Sequence, residues 1–197
     1  MQWERGGVRV ELDPRAEREV QVHTEEAQVD VIGTVFDVVR DPLGTTVDVE
    51  RGLVRVTCTQ SQETITLGID QRHTCWPITP SGLLARAIHL ADSDAPSEAQ
   101  LATLGAGLAL SDPEDPVYGE MISNQITALV AVDRKREALN AARRYLNLDK
   151  PPREAAVRDV AVQLAVLLEE CDEAKGLAAE ASGPFRDNAE RALENCR

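Results

Sequence analysis

The feature that most constrains this chain is a change of period between residues 76 and 83. Before it apolar residues recur at every second position; after it they recur at helical spacing. Val8-Arg9-Val10-Glu11-Leu12, Val20-Gln21-Val22-His23 and Ala27-Gln28-Val29-Asp30-Val31 alternate apolar with polar. Val35, Phe36 and Val38 follow, then Thr45 to Glu50, Leu53 to Thr57 and Thr64 to Leu67. These segments amount to roughly eight short strands, separated by turn signals. The turns fall at Asp13-Pro14, Asp41-Pro42-Leu43-Gly44, Arg51-Gly52 and Leu67-Gly68. Short Val- and Thr-rich strands at this spacing predict a sandwich, a jelly roll or a β-helical roll.

Trp76-Pro77-Ile78-Thr79-Pro80-Ser81-Gly82 suits neither period and reads as a linker. Helical segments follow over 83–88, 97–110, 117–132, 135–148, 153–171, 173–181 and 185–196. The expected class is therefore α+β in separate domains. An all-β sandwich or roll over 1–76 is joined by a linker, 77–82, to an all-α helical-repeat or bundle domain over 83–197. "DRKREALNAARRYLNL" and "LEECDEAKGLAAEA" resemble the turn and second helix of tetratricopeptide-type repeats, with small residues for close helix packing. An irregular helical bundle is the alternative.

Charge and composition exclude several functions. A net charge of −13 with aromatics at 3% opposes a nucleic-acid backbone and leaves no stacking platform for bases. No window approaches the ~18–20 apolar residues of a membrane helix. The first residues, Met1-Gln2-Trp3-Glu4-Arg5-Gly6-Gly7, lack the apolar centre of a signal peptide. Of the four cysteines, Cys58 and Cys75 each end a β segment, and Cys171 and Cys196 each end a helical one. In stacked helical pairs such ends lie together, near the roughly 5.5 Å that a bridge needs between Cα atoms. The pairs Cys58–Cys75 and Cys171–Cys196 are expected in preference to free thiols, which are the ordinary state in a reducing compartment.

The order of residues from Val22 to Gln71 resembles the FecR family. The matching positions are Val22, Thr24, Val29, Val31, Gly33, Thr34, Phe36 and Val38, followed by Thr46, Val47, Val49, Gly52, Val54 and Val56. "IGTVFDVV" followed by "TTVDVERGLVRV" at the right distance carries most of the likeness. One position departs: Asp70 stands where the family's Leu-x-x-Gly-Gln turn has glycine, so Gly68 is expected to supply any positive φ. Gly33, Thr34, Phe36 and Gly52 are read as structural, with Gly33 at a bend and Phe36 in the core beside it.

The resemblance implies a regulator in the Gram-negative envelope that relays signals from an outer-membrane receptor to a cytoplasmic sigma factor. On that reading the chain is the periplasmic part of such a protein, its membrane anchor lying outside these residues. Its partners are then proteins of the envelope, a receptor or an anti-sigma pathway component, with no nucleic acid and no cofactor.

No catalytic constellation is expected. His23, His73 and His89 are scattered, and His73 and Cys75 on one strand face supply only two ligands, so no metal site is expected. Phosphate-binding glycine loops and nucleophile elbows are absent. Asp92-Ser93-Asp94 and Asp112-Pro113-Glu114-Asp115 lack the glycine and glutamate of a calcium hand and read as caps and turns. The alternative expectation is a cupin-like small-molecule or metal-binding protein, or an enzyme, using the β domain as a cup.

Overall fold

The computed structural model describes residues 6–12, 20–93 and 97–196. The turn expected at Asp13-Pro14 and the Asp94 end of the expected Asp92-Ser93-Asp94 turn lie outside them. Among the described residues six strands precede seven α-helices. The strands are β1 (Gly6–Glu11), β2 (Val20–His23), β3 (Ala27–Asp41), β4 (Gly44–Cys58), β5 (Thr64–Leu67) and β6 (Arg72–Cys75). The helices are α1 (Pro80–Asp92), α2 (Ser97–Leu110), α3 (Pro116–Ala131), α4 (Lys135–Leu146), α5 (Glu154–Leu167), α6 (Cys171–Ala179) and α7 (Arg186–Leu193). The chain divides into two compact units, Met1–Leu83 and Leu84–Arg197. An all-β part followed by an all-α part is the class that the change of period predicts.

The roughly eight expected strands are six, because two expected breaks are bends inside strands. β3 and β4 are each 15 residues long and form one antiparallel hairpin from Ala27↔Cys58 to Asp41↔Gly44. Its register slips between Ile32 and Val35, and again between Val35 and Phe36. The first slip leaves Gly33 and Thr34 facing Gly52, which takes a φ of 90°. Arg51-Gly52, expected as a turn, thus lies within β4. A break on one strand meets a break on its neighbour, so the ladder bends without ending.

The bend folds the hairpin back on itself. Straight strands of this length would hold their ends roughly 45–50 Å apart, yet Thr24 Oγ1 lies 2.8 Å from Thr45 Oγ1. β2 pairs with β3 before the bend and β1 pairs with it beyond; β5 and β6 divide β4 in the same way. Two halves of one continuous sheet therefore face each other. Ala27, Val29, Val31, Val54, Val56, Cys58 and Leu67 point inward from one half; Phe36, Val38, Val47, Val49 and Cys75 point inward from the other. These are the alternate positions of each strand, which is why alternation in the sequence translates directly into a core.

At the β5–β6 loop the positive φ falls at Asp70 (59°) and not at Gly68. A short polar side chain such as this aspartate tolerates the left-handed conformation. Asp70 N–H donates to the Val49 carbonyl (2.8 Å), and Val49 N–H to the Gln71 carbonyl (3.0 Å), so the loop satisfies the backbone of β4 beside its bend.

The expected 77–82 linker overlaps α1, which begins at Pro80. Thr79 acts as its N-cap, its Oγ1 accepting from Gly82 N–H at 3.2 Å, and proline is well suited to the first helical position. In the helical unit Asp115 caps α3 by accepting from Val117 N–H at 2.8 Å. Tyr145, Leu139, Ile122 and Ala161 lie at the centre of the main helical core.

The expected helix 153–171 ends earlier: α5 stops at Leu167, and Cys171 opens α6 instead of closing α5. The stop repeats the one between α3 and α4 at a spacing of 36 residues, the offset between Asp133 and Glu169. Asp133 N–H donates to the Val130 carbonyl and Arg134 N–H to that of Leu129; Glu169 donates to Val166 and Glu170 to Ala165. Both are Schellman closures, with the left-handed residue a carboxylate (φ 60° and 62°) where glycine is usual. Asp133→Gly and Glu169→Gly are expected to raise stability by about 0.5–1 kcal/mol each by removing the Cβ penalty. Urea unfolding of each variant measures the gain; a loss would mean that these side chains hold the turns.

Candidate functional site

Where the ends of the bent hairpin meet, the sequence concentrates its polar side chains. Glu26, beside the start of β3, is 5% exposed. Arg40, near the end of the same strand, reaches it with Nε (2.9 Å) and Nη2 (3.0 Å). Thr45 Oγ1 donates to Glu26 Oε2 at 2.7 Å, and Glu25 is a second carboxylate on Arg40. Burial pushes the Glu26 carboxyl up, but hydrogen bonds from Arg40 and Thr45, with the attraction of Arg40, outweigh it and hold the group below its ordinary value. Arg40 is held further into its charged form, chiefly by its hydrogen bond to Glu26.

A covalent tie closes the same seam. Cys58 at the end of β4 is joined to Cys75 at the end of β6, with Cα atoms 5.2 Å apart. Both cysteines are buried. β6 pairs with the turn end of β4, so the bond links the two ends of one strand through a short partner. His73, two residues before Cys75 and on the same face, sits with Nε2 3.5 Å from Cys58 Sγ. The ligand atoms of Cys58, His73 and Cys75 all lie within 4.8 Å of one another. The sequence places His73 and Cys75 together by their spacing and leads to an expected Cys58–Cys75 pair; the fold-back adds that Cys58, 15 positions upstream of His73, also lies beside that histidine.

The remaining sequence candidates are dispersed. Gly33 and Thr34 lie in the bulge of β3. Thr34 is buried and its carbonyl accepts from Leu12 N–H at 2.9 Å. Phe36 is fully buried in the β core, and Gly52 takes the bend on β4. His23 is exposed on β2 and His89 is exposed in the last turn of α1. Cys171, opening α6, is joined to Cys196 beyond α7 with Cα atoms 5.5 Å apart.

The helical unit carries its own charged seam. Arg143 on α4 binds Glu173 on α6 through Nε (2.7 Å) and also Glu170 (2.8 Å), and Arg136 reaches Glu170 as well. A hydrogen bond from Arg143 is the main cause holding the Glu173 carboxyl below its ordinary value. Arg158, nearly buried on α5, bridges Glu154 (2.7 Å) and Glu180. Sequence reasoning passed over these charges because surface ion pairs and solvated charges look alike in a linear chain.

A β roll clamped along one seam and followed by helical hairpins is the class of protein that this architecture defines. Within it, residues 1–55 match the family model described as FecR protein. The match spans β1 to most of β4, takes in Gly33, Thr34, Phe36 and Gly52, and ends before Cys58 and the Leu67–Gln71 turn. No curated protein and no solved structure matches the chain. Among the described residues no helix is long and apolar enough to cross a membrane.

Proposed function

We propose that this chain is a non-enzymatic regulator that acts by binding protein partners in the bacterial envelope, as part of the control of a sigma factor in the full-length protein. The observation that carries this reading is the FecR match over residues 1–55, on strands whose bend and core use the residues that make the resemblance. FecR proteins are envelope-associated regulators of sigma-factor signalling. Two disulfides suit an oxidising compartment, the periplasm on this reading. The stacked helical hairpins offer the kind of extended surface that grips another protein, which gives the α unit the role of partner contact.

An in-frame deletion of the β unit in the host cell tests the reading. Transcription of a discrete set of promoters sharing one recognition signature is expected to change. An unchanged transcriptome under every inducing condition tried would overturn the regulatory role. Thiol titration of protein taken directly from cells is the companion measurement: no reactive thiol before reduction and all four cysteines after it are expected. Four reactive thiols at the outset would place the protein in a reducing compartment.

A further inference from the structure

The cluster at the closure of the β roll has a chemistry that a disulfide alone does not use. We propose that Cys58, His73 and Cys75 form a metal site that alternates with the disulfide, taking up one Cu(I) ion once the bond has been reduced. Reduction by a dithiol transfers two electrons: the Cys58–Cys75 bond breaks, two thiols form, and the reductant leaves as its own disulfide. The two thiols then lose their protons to solvent as the metal binds, and copper enters and stays as Cu(I).

The geometry supplies the ligands without rebuilding the fold. Bonds of about 2.3 Å to sulfur and 2.0 Å to nitrogen, as at zinc, separate the donors of a trigonal site by roughly 3.7–4.0 Å. Cys58 Sγ and His73 Nε2 are already 3.5 Å apart, and all three ligand atoms lie within 4.8 Å of one another. Only the two sulfurs must part, by side-chain rotation at Cα atoms 5.2 Å apart. β4 and β6 are hydrogen-bonded to each other over Thr45–Asp48 and Arg72–Cys75, so the ligands on β6 stay in place when the bond opens. His73 is half-buried, which gives an ion a route to sulfurs that are themselves covered.

The donor set selects the ion. The two thiolates are soft and the imidazole is a borderline donor that also suits copper, a set that favours Cu(I) among ions that a thiol site meets. Among the described residues the cluster contains three potential ligands and no carboxylate, whereas structural zinc closes its site with four. The metal would tie β4 to β6 where the disulfide tied them, so the roll stays shut in both states.

The test uses the full chain, reduced with dithiothreitol, desalted without oxygen and titrated with Cu(I) held by a coloured chelator. One ion per chain is expected to resist the chelator, with X-ray absorption showing two sulfur neighbours and one imidazole nitrogen. Cys58→Ser/Cys75→Ser, which keeps the other cysteine pair, is expected to lose that ion. His73→Ala, which keeps all four thiols, is expected to weaken binding by about tenfold or more. Far-ultraviolet circular dichroism of each sample shows whether the strands persist. Equal uptake by the double-serine variant, unchanged binding in His73→Ala, stoichiometric zinc retained in place of copper, or no uptake by the reduced wild-type chain would each overturn the proposal.

Discussion

Arg40→Ala is expected to destabilise the β unit by about 3–4 kcal/mol, the usual cost of leaving a buried carboxylate without its cation. Arg40 is the larger loss of the pair. Its side chain is 13% exposed and holds Glu26 by two hydrogen bonds, whereas removal of Glu26 leaves Arg40 with Glu25. Arg40→Ala/Glu26→Ala is expected to recover part of the loss, because no uncompensated charge then remains in the seam. Tryptophan emission reads the transition, since both tryptophans, Trp3 and Trp76, fall in the first 83 residues of the sequence and Trp76 follows β6 directly. Full additivity of the two single losses would show that Glu26 and Arg40 do not act together.

The same pair gives an acid limb. The folded carboxyl of Glu26 lies below its ordinary value of 4.5, so its contribution is fully present above that value. It is lost as pH falls through the lower folded value, because protons then bind the unfolded chain first. Denaturant midpoints followed downward from pH 5 are therefore expected to fall more steeply in the wild-type protein than in Arg40→Ala/Glu26→Ala. Parallel slopes would assign the acid sensitivity to other carboxylates.

Gly44→Ala is expected to be at least as damaging, for a reason seated in the backbone. Gly44 has a φ of 144°, and a Cβ built there would lie 2.4 Å from the Cys75 carbonyl oxygen. Strain of this kind costs about 1–3 kcal/mol before any clash is counted. β6 would have to move away from β4, taking Cys75 and His73 with it. Loss of tryptophan-reported stability together with faster reduction of Cys58–Cys75 is the expected pair of results. A variant with wild-type stability would mean that β6 yields freely at this point.

How much of this was legible in sequence depended on whether neighbours in the chain are neighbours in space. The change of period and the inward valines could be read directly. What could not be read is that Gly33-Thr34 faces Gly52 across one ladder, so that Arg51-Gly52, expected as a turn, lies inside a strand at the bend. Glu26 and Arg40 looked like ordinary strand-end charges because their meeting depends on that bend. The stop at Glu169 escaped because Leu168-Glu169-Glu170-Cys171 contains no proline or glycine. Only comparison with Val132-Asp133-Arg134-Lys135, at the same spacing as the two Schellman turns, carries a signal for it. Cys171 therefore reaches Cys196 from the start of a helix and not from the end of one.

The long β3–β4 ribbon has a final consequence for the chain in crowded company. Its two 15-residue strands supply most of the buried apolar side chains of the β unit, and each is flanked by shorter strands on both sides of the bend. Among the described residues the outer strands of the sheet are β1, β2, β5 and β6, which are only four to six residues long. Long apolar edges template pairing between molecules, and short ones do so poorly. The architecture thus keeps its stickiest strands out of reach of another copy, and this protection lasts for as long as the seam stays closed.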